Sequence, residues 1–262
     1  MNENEIKAHY AEQAKQLGLS KQSTMLDIIT RDKEVETILT CLSGIEGQKK
    51  ILEIGCGNGY TAEQIRNYCF KIDAIDFSPD LLEVAHKRKL KYVRFQLGDA
   101  RDLQFPSQSF NVAISERCLI NLTSWEDQQK ALLEIWRVLK TDGVFLMLEA
   151  FTDGLDNLNN ARESVGLSKI PQPPFNIYFD KEKLGEFLAD KFVPLYRKDP
   201  YPPFEKNFLS TYYFGSRVLY PALAKANGVD VKYNSQFVQF FKDLPPYGNY
   251  SFIQALALRK LS

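Results

Sequence analysis

Between residues 50 and 149, short apolar runs alternate with stretches whose apolar residues return every three or four positions. The runs at 50–54, 71–75, 92–97, 110–115 and 143–149 predict strands. The periodic stretches near 59–68, 79–89 and 124–139 predict helices. Such regular alternation implies a parallel sheet with helices on both faces. Helix 124–139 carries the clearest signals. Thr123 or Ser124 can cap it, with Glu126 or Asp127 three positions on, and Trp125, Leu132, Ile135, Trp136 and Leu139 form its apolar stripe. The turn Lys140-Thr141-Asp142-Gly143 is expected to stop it, with Gly143 supplying positive φ.

The flanks follow other patterns. Ile6, Tyr10, Ala14 and Leu17 recur at helical spacing before Gly18. A second helix over about 31–42 places Val35, Ile38, Leu39 and Leu42 on one face. Beyond 150 the composition changes: ten of the twelve prolines lie between Pro171 and Pro246, among many aromatics. A helix at about 180–190 and a strand at about 192–198 continue the sheet. Pro-bounded helices over 199–246, one of them at 205–226, interrupt it. Ser251–Leu258 reads as a last strand.

Length and charge narrow the function. A chain of 262 residues suits one large domain with an elaborated insert. Lys plus Arg and Asp plus Glu both number 33, so the formal charge is zero. Neutrality argues against DNA or long RNA as the main partner, because phosphate neutralisation needs a basic stripe. The four cysteines, Cys41, Cys56, Cys69 and Cys118, form no C-x-x-C pair, so no zinc knuckle is expected. Scattered thiols, a polar N-terminus and no apolar run of membrane-spanning length lead to the expectation of a cytoplasmic protein, monomer or homodimer, without a membrane span.

The run Ile51-Leu52-Glu53-Ile54-Gly55-Cys56-Gly57-Asn58-Gly59-Tyr60 reads as a buried strand breaking into a glycine loop that opens a helix. Glycine lets a ligand approach the main chain closely. Asp76 ends the next apolar run, where an acidic residue can accept hydrogen bonds from ribose hydroxyls. The spacing departs from the dinucleotide fingerprint G-x-G-x-x-G, because Tyr60 stands where the third glycine belongs. Glu53 suits a ligand with an ammonium and a sulfonium better than a pyrophosphate. The pattern E-x-G-x-G-x-G, followed by Asp76-Phe77-Ser78-Pro79 and Gly98-Asp99-Ala100, resembles class I S-adenosylmethionine-dependent methyltransferases.

That resemblance implies a fold and a cofactor site. The fold is α/β: a Rossmann-like, doubly wound, seven-stranded sheet whose last strand is antiparallel. Its core covers 48–198 and 247–262, with a helical N-terminal cover over 1–47 and a helical insert over 199–246 as acceptor-site lid. The cofactor is S-adenosyl-L-methionine. Glu53, Gly55, Cys56 and Gly57 would lie beside its methionine portion, and Asp76 at its ribose. Phe77, Ser78, Asp99 and Ala100 would surround the adenine, and Ser115 and Arg117 floor the pocket. Tyr10 would face the sulfonium, and Arg31 the carboxylate. Each has a plainer reading: a tight turn for the glycines, a helix cap for Asp76, a turn residue for Asp99 and a surface ion pair for Arg31 or Glu116-Arg117.

A hydroxyl acceptor must lose its proton, and His9, Glu149 and Glu116 are the candidate bases. His9 reads equally as an exposed helix residue. Tyr178, Tyr212, Tyr213 and Arg217 are candidates for the acceptor site, against the alternative of aromatic core packing. No metal is expected. Residues 116–149 are similar to methyltransferases of bacterial surface-saccharide and natural-product pathways. The implied reaction is methyl transfer to a small molecule, first a hydroxyl of a sugar or sugar-containing intermediate, second a quinone or polyketide ring. An NAD-dependent oxidoreductase and a non-catalytic cofactor-binding regulator are the rivals.

Overall fold

The computed structural model describes residues 3–195, 207–231 and 235–261. Seven strands form one sheet in the order β3-β2-β1-β4-β5-β7-β6. These are β1 (Lys50–Ile54), β2 (Lys71–Asp76), β3 (Val93–Leu97), β4 (Phe110–Glu116), β5 (Leu139–Ala150), β6 (Phe192–Pro194) and β7 (Ile253–Lys260). The first five pair in parallel, while β7 runs antiparallel to both β5 and β6. Strand order reverses between β1 and β4, which opens a crevice at the carboxyl ends of the strands.

Burial explains why the central strands read as largely apolar runs. Ile51, Leu52, Glu53 and Ile54 are all buried, because helices cover both faces of β1. On one face, Ile38, Cys41, Leu42, Ala62, Ile65, Leu82 and Ala85 pack with Ile51, Ile72, Val112 and Ile114. These come from α2 (Ile28–Gly44), α3 (Tyr60–Ile65) and α4 (Pro79–His86). On the other face, α5 (Trp125–Val138) lays Ala131, Leu132, Ile135 and Val138 against Leu52, Ala113 and Phe145. The α5 cap is Ser124, which accepts the Asp127 amide at 3.1 Å. Helix α1 (Glu3–Leu17) lies over α4, joining Ala14 and Tyr10 to Leu81 and Val84.

Several boundaries differ from the sequence reading. Helix α2 begins at Ile28, because Asp27 caps it and accepts the amides of Ile29 and Thr30 at 3.1 and 3.0 Å. The chain leaves α5 directly into β5, and Asp142 rather than Gly143 takes the left-handed conformation, at φ 59°. Helix α6 (Thr152–Ser164) was not legible, since Asp, Asn and Gly have low helix propensity and only Leu155 and Leu158 mark its buried apolar side. Its Gly154 is required by space: a Cβ there would sit 2.0 Å from the Ser251 carbonyl oxygen. Helix α7 (Lys181–Leu188) leads into β6, which ends at Pro194; the remainder of the expected strand, from 196, lies outside the described residues.

The expected helix at 205–226 is seen from Ser210 to Ala226, with a π-helical turn at Gly215–Leu219. The start of that expectation, 205–206, lies outside the described residues. Among the described residues no helix is long and apolar enough to cross a membrane.

Candidate active site

The first strand-to-helix junction needs glycine for separate reasons. Gly55, Gly57 and Gly59 all have positive φ, at 76°, 53° and 74°. At Gly55 a Cβ would lie 2.5 Å from the Cys118 sulfur, and at Gly59 it would lie 2.7 Å from the Phe95 ring. At Gly57 it would meet nothing within 4 Å, so this backbone borders open space. The Ile75 carbonyl accepts the amides of Gly55 and Cys56, both at 2.9 Å, which ties the loop to β2. Asp76 completes the tie: Oδ2 accepts the Gly57 amide at 2.7 Å and Oδ1 the Ser78 amide at 2.9 Å.

This junction opens on a cavity of about 380 Å³ at the carboxyl ends of β1 to β4. Glu53, Gly55, Cys56, Gly57, Asp76 and Phe77 line its inner wall. Asp99, Ala100, Glu116 and Arg117 come from the ends of β3 and β4, and Arg31 from α2. Tyr10 reaches it from α1, which roofs it with Glu3, Ile6 and Lys7. The Tyr10 hydroxyl donates to Asn121 Oδ1 at 3.1 Å.

The electrostatics of the wall are set by two guanidiniums and four acids. Arg31 pairs with Glu116, whose second oxygen accepts the Thr61 hydroxyl at 2.7 Å. Burial works to raise the Glu116 carboxyl, but Arg31 and Arg117 overcome it and hold it at about 2. Arg117 donates to Glu34 Oε1 at 2.9 Å and to the Thr24 carbonyl at 2.8 Å. Burial pushes Glu34 up to about 8, with Arg117 opposing. Glu53 is also pushed to about 8, by burial and then by the Glu116 charge. Its Oε2 is buried and has no hydrogen-bond partner among the described residues. A buried acceptor left unpaired costs roughly 1–3 kcal/mol, so it marks a place for a donor or a cation. Burial lifts Asp76 to about 6, against the amides that hold it.

Asp99 is engaged before any ligand arrives. The Arg101 amide donates to its Oδ1 at 2.8 Å and the guanidinium to its Oδ2 at 2.7 Å. Arg101 also reaches Glu3 at 2.6 Å and Asp127 at 2.9 Å, which fastens the roof helix to the core.

Eight expected residues stand away from the cavity. Ser78 is buried as the cap of α4, accepting the Leu81 amide at 3.3 Å. Ser115 is buried within β4. Glu149 is fully buried and receives the amides of Cys118, Leu119 and Ile120 at 3.1, 3.0 and 3.3 Å. It holds the chain beneath the site rather than facing it, and burial pushes it to about 7. His9 is exposed and meets the rings of Tyr10 and Phe175 on the outside of α1. Tyr178 stacks on Phe252 in the core. Tyr212 and Tyr213 are buried with Leu209, Val218 and Ile253, as the core-packing alternative anticipates. Arg217 pairs with Asp27 at 2.6 Å.

Glu34, Thr61, Arg101 and Asn121 shape the site without having been singled out. Only Glu34 left a signal. With Arg31 and Ile38 it shares one helix face, so charged residues interrupt an apolar stripe there.

Residues 52–147 match the family model described as a methyltransferase domain. An uncharacterized methyltransferase, YcgJ, of Bacillus subtilis is 33% identical over 108 residues, 40% of this chain and 42% of that protein. A demethylmenaquinone methyltransferase of Leptospira interrogans is 35% identical over 115 residues, 41% of this chain and 45% of that protein. The chain therefore spans less than half the length of these curated relatives. A crystal structure of an S-adenosylmethionine-dependent methyltransferase from Methanosarcina mazei shares the fold, with a TM-score of 0.53 at 15% identity over 85% of this chain and 97% of that one. Residues 52–147 thus resemble a methyltransferase domain, and the strand order around them is that of the Rossmann-like methyltransferase fold.

Proposed function

We propose that this protein transfers the methyl group of S-adenosylmethionine to a small-molecule acceptor. One observation carries the reading: the buried, unpartnered Glu53 oxygen lies in the wall of a cavity bordered by bare Gly57 backbone. A cationic amino-acid group answers that oxygen and favours loss of its proton, whereas a pyrophosphate gains no such ion pair there. Asp76 and Asp99 would take the ribose and the base, and Arg31 the carboxylate. The bound cofactor supplies an electrophilic methyl on a sulfonium.

The protein's part is then to position the acceptor and exclude water. Holding reactants in near-attack geometry lowers a barrier by roughly 7–11 kcal/mol. The three candidate bases stand poorly for proton removal. Glu116 is paired to Arg31, Glu149 is capped by three amides, and His9 is on the outer surface. The 1–47 cover and the 199–246 insert would enclose the acceptor around the core of 48–198 and 247–262.

For the acceptor, the similarity of 116–149 to saccharide and natural-product enzymes supports a sugar hydroxyl. The demethylmenaquinone methyltransferase among the relatives supports a quinone-like ring. Transfer of labelled methyl from the cofactor to a panel of sugars, phenols and quinols tests both. Labelling of one class alone decides between them, and no labelling of any class favours a non-catalytic cofactor-binding role.

A further inference from the structure

Arg217 of the 210–226 segment is joined to Asp27, the cap of the helix whose Arg31 lines the cavity, and neither Arg217 nor Asp27 lines it. Arg217 sits in the π-helical turn at Gly215–Leu219, a departure from α-helix that occurs frequently at functional sites. Its Nη2 donates to Asp27 Oδ2 at 2.6 Å, and its guanidinium stacks 3.7 Å above the Tyr213 ring. The Tyr212 hydroxyl donates to the same carboxylate at 3.0 Å, and Arg162 of α6 donates to the Arg217 carbonyl. Asp27 thus receives the insert's two side chains and the Ile29 and Thr30 amides of the first turn of α2. Burial works to raise its carboxyl, but Arg217 overcomes this and holds it below the usual range.

The consequence follows from helix geometry. Positions 27, 31 and 34 are spaced by four and three, so they stand along one face of α2. The Arg31 amide bonds back to the Asp27 carbonyl at 3.1 Å, in the first turn. Whatever fixes Asp27 therefore fixes the axial position and rotation of the turns that carry Arg31 and Glu34. Arg31 grips Glu116 and Glu34 grips Arg117, and both gripped residues line the cavity.

We propose that the Asp27–Arg217 pair is a positioning latch, by which the 210–226 helix sets Arg31 and Glu34 at the wall of the cofactor cavity. The proposal rests on the reading that this cavity holds S-adenosylmethionine. A ligand at the cavity and the docking of the insert are then two ends of one rigid helix, so each favours the other.

Calorimetric titration with S-adenosylhomocysteine and thermal melting are to be run together on full-length wild type, Arg217→Gln, Arg217→Lys, Asp27→Asn and the double variant. The latch predicts that Arg217→Gln and Asp27→Asn each weaken binding by roughly 3- to 30-fold. It predicts that Arg217→Lys recovers most of the affinity, and that the double variant binds no worse than the poorer single one. Should Arg217→Gln fail to fold, Arg217→Lys and Tyr212→Phe keep the test open, with a smaller loss in the same direction. Wild-type affinity in variants that melt earlier overturns the latch and leaves the cofactor reading intact. No binding by wild type itself overturns the cofactor reading, and the latch with it.

Discussion

The Asp76 carboxylate accepts the Gly57 amide at 2.7 Å, joining the end of β2 to the middle of the glycine loop. One side chain therefore shapes the loop and borders the cavity. Replacing Asp76 with Ala removes charge-assisted hydrogen bonds worth about 1.5–3 kcal/mol, so affinity for S-adenosylhomocysteine should fall roughly 10- to 100-fold. Calorimetry checks this, and an unchanged affinity would remove Asp76 from the site.

The glycines should separate binding from folding. At Gly57 an added methyl meets open space on the cavity side, at φ 53°. Gly57→Ala should cost roughly 1–2 kcal/mol of stability and a larger share of cofactor affinity. At Gly55 the methyl meets the Cys118 side chain at 2.5 Å. Gly55→Ala should therefore lose several kcal/mol in chemical denaturation, because overpacking adds to backbone strain. Equal losses of stability in the two variants would contradict the distinction.

Acid–base behaviour follows from the raised carboxyls. Glu53 is pushed to about 8, so the folded protein holds its proton where the unfolded chain has lost it. The folded state then binds more protons across about pH 4.5 to 8, and stability must fall as pH rises through that window. Glu34, Asp76 and Glu149 act in the same direction. Glu116 acts oppositely: its stabilisation is present above its ordinary range and is lost as pH falls towards about 2. Melting temperature of the cofactor-free protein should decline from pH 5 to 8, and Glu53→Gln should flatten the decline. A Glu53→Gln profile parallel to wild type would contradict the burial assigned to that group.

The roof helix offers a milder test. Tyr10→Phe deletes one neutral hydrogen bond to Asn121, worth about 1 kcal/mol. Tyr10→Ala also removes the edge-on contact with Phe77 and opens the roof. Cofactor affinity should fall little in the first variant and clearly in the second. The reverse order would place the hydroxyl, not the ring, in contact with the ligand.

The parallel part of the sheet was legible because β1, β2 and β4 are buried on both faces and so are largely apolar. The cofactor wall was legible where main-chain need forces the residue type, as at Gly55, Gly57 and Asp76. It was not legible where function depends on partners distant in sequence. Nothing local to Arg217 says that it meets Asp27, 190 positions away, and an aromatic, basic helix face reads equally as an acceptor site. Glu149 misled for a related reason. A carboxylate at a strand end suggests a base, but the amides of 118–120 reach it only through the β4–β5 pairing. Helix α6 escaped because its sequence favours turns, and packing against Ser251 and Leu209 makes it a helix nonetheless.

Side-by-side calorimetric titrations of the full-length protein with S-adenosylmethionine and with NAD bear most directly on the central claim, that the Glu53 cavity accepts a cationic nucleoside. Micromolar S-adenosylmethionine binding that Glu53→Gln and Asp76→Ala both weaken, with no heat from NAD, is the predicted result. Tighter binding of NAD, or S-adenosylmethionine binding indifferent to both substitutions, would contradict it.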